Sequence, residues 1–147
     1  MKSLSIILIL LVACFAAGCE QGGLEKRVNA MTELEKFKNK EKFLRDDKGF
    51  YSGVSDPKLK ALLTERINQA AADFETFSRK EAASEKEYQD LIGQGLQRFG
   101  DVYELTDTED RERICSYFEE LMDIVGVESS GGHLNNFLYG FDPLKKN

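Results

Sequence analysis

The chain has 147 residues, of which 41% are hydrophobic and 31% charged, and a formal net charge of −6. That length suits one domain, and the apolar content is too high for a disordered polymer. The acidic balance argues against nucleic-acid binding, which needs a basic face over the phosphates. Three Cys and one His argue against a disulfide framework or a Cys/His metal cage, so no cofactor is expected.

The first element is an address. Lys2 opens it, Ile6 to Val12 is an unbroken apolar run, and no acid appears before Glu20. This is the layout of a secretory signal peptide. The run of about 12 residues would span roughly 18 Å as a helix, short of the roughly 30 Å of a bilayer core. Its end, Phe15-Ala16-Ala17-Gly18-Cys19, resembles the lipobox of bacterial lipoproteins. The resemblance implies cleavage before Cys19, acylation of its thiol, and a domain tethered to a bacterial membrane, facing the periplasm or exterior. A rival box, Leu11-Val12-Ala13-Cys14, would leave an apolar core of only about seven residues. Cys19 is therefore the favoured lipidation site. The chain divides into a signal peptide (1–18), a lipidated tether (19–23), an N-terminal helix and loop (24–54), a helical domain (55–143) and a tail (144–147).

Leu24 to Arg45 reads as one amphipathic helix, with Val28, Met31, Leu34, Phe37 and Leu44 on its stripe. Its basic run, Lys36 to Arg45, is expected to be a solvated face; near an anchored N-terminus it also suits anionic lipid headgroups. Asp46 to Asp56 is a loop. It fails as an EF-hand because position twelve is Pro57. Ser55 or Asp56 caps the next helix, Pro57 enters its first turn, and Leu59, Leu63, Ile67, Ala70, Phe74 and Phe77 share one stripe. A third helix begins after Ser84 with a capping box to Glu87, and its stripe runs from Tyr88 to Tyr103. Gly93, Gly95 and Gly100 interrupt it, reading as close packing or as a ligand groove. Thr106 and Glu109 predict the start of a fourth helix, which Gly126 ends with Val127 placed for a Schellman contact. Cys115 beside Ile114 reads as a core residue. His133 to Tyr139 forms a short last helix.

The block from Tyr117 to Gly126, continuing through Ser129-Ser130-Gly131-Gly132 to Leu138-Tyr139-Gly140-Phe141-Asp142-Pro143, resembles a bacterial family of small helical domains of unknown function. The resemblance covers roughly Ser55 to Pro143. It implies an all-helical fold and no activity, so no catalytic residue carries over.

The expected fold is a single all-α bundle of about four helices plus a short C-terminal one. The leading function is a non-enzymatic protein-interaction module in the cell envelope, with acidic charge favouring a basic partner. Ser129, Ser130, His133, Asn135, Asn136, Phe137 and Tyr139 form the candidate interaction surface: aromatics beside adaptable amides suit recognition, and equally suit a helix closing the core. Two alternatives stay open. One is an envelope hydrolase using Ser129 or Ser130 with His133; the other is a small-ligand carrier with its pocket near Gly93 and Gly95.

Overall fold

Capping chemistry decides where most of the helices begin. The computed structural model describes residues 22–140; the signal peptide, Cys14, Cys19 and the tail lie outside the described residues. Helix α1 covers 22–39, α2 Pro57–Ser78, α3 Glu85–Gln97, α4 Thr108–Val125 and α5 His133–Tyr139, with a 3₁₀ turn at Tyr103–Leu105. Among the described residues there is no strand, only an isolated bridge between Asp46 and Tyr51. The all-α expectation holds.

Asp56 caps α2, its carboxylate accepting from the Lys58 N–H at 2.8 Å, with Pro57 in the first turn. Ser84 and Glu87 form the expected capping box of α3. The box of α4 lies one residue later than the sequence reading has it. Asp107 accepts from the Asp110 N–H at 2.8 Å, and Asp110 reaches back to Asp107. Thr106 is not free to cap, because its hydroxyl donates to the Tyr103 carbonyl at 2.7 Å and closes the 3₁₀ turn. At the far end Gly126 takes a left-handed φ of 75°, and the Val127 N–H reaches the Met122 carbonyl at 2.9 Å. That is the expected Schellman end.

Two helices stop earlier than their apolar spacing suggests. Helix α1 ends at 39 instead of Arg45. Ala30, Leu34 and Phe37 are buried, whereas Val28 and Leu44 are exposed. The stop comes from Lys42, which is buried and folds back to donate to the carbonyls of Phe37 (2.7 Å) and Lys40 (3.1 Å). Its ammonium also lies 4.6 Å from the Phe37 ring centre. Phe43 then turns into the core at φ 55°, its N–H donating to the Tyr117 hydroxyl at 2.8 Å. The basic run is therefore not simply a solvated face. Lys36 pairs with Glu33, Lys38 with Glu75 on α2, Lys40 with Glu120 on α4 and Arg45 with Asp47. Helix α3 stops at Gln97, and Phe99 and Val102 enter the core from the turns that follow.

Helix α2 packs on α3 and α4, and α5 on α3 and α4. Leu63, Ile67, Phe74, Ile92, Ile114, Phe118 and Leu121 are fully buried between them. Gly95 lets α3 approach α4: a Cβ there would lie 2.8 Å from the Phe118 ring. The segment from α1 to Tyr51 runs antiparallel to α4. It touches Glu120 through Lys40, then Arg113 through Asp46 (3.0 Å), then Asp110 through the Tyr51 hydroxyl (2.8 Å).

Candidate functional site

The C-terminal half of α3, the turn carrying Tyr103 and one side of α5 enclose a groove of about 380 Å³. It is lined by Gly93, Leu96, Gln97, Gly100, Tyr103, His133, Asn136, Phe137 and Gly140. Gly93 makes room for the imidazole of His133, whose Cε1 would lie 2.8 Å from a Cβ at that position. Phe137 meets Tyr103 edge to face at 5.4 Å and Phe99 at 6.1 Å. The Tyr103 hydroxyl donates to the Phe137 carbonyl at 2.9 Å. The Arg111 guanidinium stacks 3.8 Å from the Tyr103 ring centre and donates to the carbonyls of Tyr103 and Thr106. The aromatic wall is thus fixed from three sides. By contrast, the side chains of Gln97, His133 and Asn136 make no hydrogen bond among the described residues.

The seven predicted surface residues do not form one patch. His133, Asn136 and Phe137 line the groove. Ser129, Ser130 and Asn135 line a different cleft of about 810 Å³, which includes Lys26 and the end of α4. Successive helical residues turn by about 100°, so Asn135 and Asn136 face different ways. Tyr139 is exposed near the end of α5, and Phe137 is half-buried against the core. Core closure and surface recognition therefore divide residue by residue. The structure adds Leu96, Gln97 and Tyr103, which the sequence reading missed, and brings in Gly93 and Gly100, which that reading offered to a ligand groove. Its continuous α3 stripe placed Tyr103 on a helix, whereas the stop at Gln97 turns it over the groove.

The hydrolase constellation is not assembled. The Ser129 hydroxyl accepts from the Gly131 N–H at 3.1 Å, and the Ser129 N–H donates to Glu85 at 3.2 Å. No hydrogen bond joins the His133 ring to a serine or a carboxylate among the described residues. Cys115 is buried in the core, where burial, with Glu119 and Glu112 nearby, pushes its thiol up to about 12. That is the opposite of an activated nucleophile. No group of three His, Cys, Asp or Glu side chains among the described residues is placed to hold a metal ion. A wider groove of about 780 Å³ follows α2 from Pro57 to Ala72. Among the described residues, the Asn68 Oδ1 beside it is buried without a partner, and no aromatic side chain lines it.

Comparison with known proteins places this geometry in a family. The sequence profile of DUF4844, a domain of unknown function, matches residues 25–142. The crystal structure of a DUF3571 family protein from Acinetobacter baumannii AYE is similar, with 32% sequence identity and a TM-score of 0.73. The match covers 79% of this chain and 93% of that one. No curated protein matched.

Proposed function

The chain belongs to the DUF4844 family of unknown function, and on that premise we propose that it is a lipid-anchored protein of the bacterial cell envelope whose domain binds a partner without catalysing a reaction. The anchor is Cys19, read from the apolar run and small residues before it. The recognition surface is the groove between α3 and α5. The observation that carries this reading is the set of three polar side chains, Gln97, His133 and Asn136, beside a fixed aromatic wall and without partners of their own. Polar groups that converge on an apolar cleft are the usual make-up of a binding site. Neither the family description nor the name of the solved relative carries an activity, which fits a binding role.

The experiment is a combined Gln97→Ala, His133→Ala and Asn136→Ala variant, compared with wild type by thermal unfolding and by affinity capture from envelope extracts. An unchanged melting temperature with loss of a captured partner is the expected result. A lowered melting temperature with capture intact would make α5 a cap on the core and nothing more. The groove volume also favours a second reading, a small-ligand carrier, since such sites run from roughly 300 to 1,000 Å³. Native mass spectrometry of the purified protein separates the two, because a carrier retains a bound small molecule.

A further inference from the structure

We propose that the groove between α3 and α5 takes an extended, uncharged peptide segment bearing a large apolar side chain; this rests on the binding reading above and names the partner it implies. Charge comes first. The chain is 31% charged, yet among the described residues no Asp, Glu, Lys or Arg lines this groove. An acidic occupant would meet only His133 and, behind the Tyr103 ring, an Arg111 guanidinium already donating to two backbone carbonyls, so it would lose water for little counter-charge. The wall and floor are apolar: Leu96 is buried beneath, and Phe137 and Tyr103 stand edge to face. They offer an aromatic pocket to one large side chain.

The polar groups match a main chain. Gln97 and Asn136 are both exposed at the groove, and each amide has one carbonyl acceptor and two N–H donors. A peptide unit presents the complement, one N–H and one C=O. The rim is low where a second backbone would run. Gly140 is left-handed at φ 69°, and a Cβ there would meet no atom of the described residues within 4 Å. Gly100 lies exposed at the other wall. Leu105, 66% exposed, lies two residues beyond Tyr103, so its Cα is within about 7 Å of a lining residue. A compact ligand would leave that side chain bare; a segment that runs on past Tyr103 would cover it.

The test uses the full 147-residue chain, ¹⁵N-labelled and held in detergent micelles, titrated with N-acetyl-leucine N-methylamide and with the glutamate counterpart. The leucine probe is expected to shift the amides of Gly93, Gly100 and Gly140 and the side-chain NH₂ signals of Gln97 and Asn136. The glutamate probe should bind at least about tenfold more weakly. A Gln97→Leu, Asn136→Leu double variant should keep the rest of its spectrum and lose about tenfold in affinity, as expected for two hydrogen bonds. No shift at millimolar probe, an equal response to glutamate, or wild-type affinity in the double variant would overturn the assignment. If the probes fail while the alanine variant above still loses its envelope partner, the peptide assignment falls and the binding reading stands. If the alanine variant also keeps its partner, both fall.

Discussion

Gly93 and Gly95, two residues apart on α3, should answer to alanine in different ways. Alanine in place of glycine inside a helix is worth about 1 kcal/mol by propensity alone. At Gly95 the new methyl would lie 2.8 Å from the ring of Phe118, which is fully buried and cannot retreat. Gly95→Ala should therefore destabilise by about 1–3 kcal/mol, the usual cost of overpacking. At Gly93 the obstacle is the half-buried imidazole of His133, which can swing into the groove. Gly93→Ala should stay within about 1 kcal/mol of wild type while narrowing the groove. Urea unfolding of the two variants checks both. Lys42 provides a pH signature. Burial, with Lys40 adding and Glu120 opposing, holds its ammonium down to about 8. Between that value and the ordinary 10.5 the unfolded chain binds a proton that the fold has shed, so stability contributed here rises with pH in that window. The unfolding free energy of wild type relative to Lys42→Met should increase from pH 7.5 to pH 10. A flat difference would mean that the carbonyls of Phe37 and Lys40 hold the buried amine charged.

The elements show why some boundaries are legible and others are not. Helix α2 could be read in full because its determinants are local: an Asp cap, a Pro in the first turn and one continuous stripe. The end of α4 was equally local, a glycine followed by a valine. The ends of α1 and α3 depend on partners far away in sequence. Leu44 keeps the helical spacing, but Phe43 bonds Tyr117, 74 residues on, and the chain turns there. Phe99, Val102 and Tyr103 also keep the spacing, yet Val102 is buried from a turn, and Phe99 and Tyr103 pack against Phe118 and Phe137. The start of α4 was off by one because Thr-x-x-Glu overlaps Asp-x-x-Asp, and the turn from Tyr103 uses the threonine. Asp107→Ala should accordingly cost about 1 kcal/mol as a lost cap, and Glu109→Ala less than about 0.5 kcal/mol, measured by thermal unfolding.

At the scale of the molecule, the all-α architecture and part of the site were visible in the sequence. His133, Asn136 and Phe137 stood out as polar and aromatic residues near a glycine turn, but their division from Ser129, Ser130 and Asn135 required the direction of α5. Gln97 and Tyr103 carried no signal until the stop of α3 was known. The fold also gives the molecule two ends. The 18 residues of α1 span about 27 Å, from residue 22, near Lys26 and the cleft at Gly126, to the ion pairs of Lys38 and Lys40. The proposed anchor, Cys19, lies three residues before residue 22 in sequence. The ion pairs of Lys36, Lys38, Lys40 and Arg45, with the burial of Lys42, argue against a role for Lys36 to Arg45 on lipid headgroups. Everything proposed for the envelope turns on that anchor. Intact-mass spectrometry of the chain isolated from its native membrane fraction should give a polypeptide beginning at Cys19 with acyl chains on it. A chain that still begins at Met1 and carries no lipid would contradict the account.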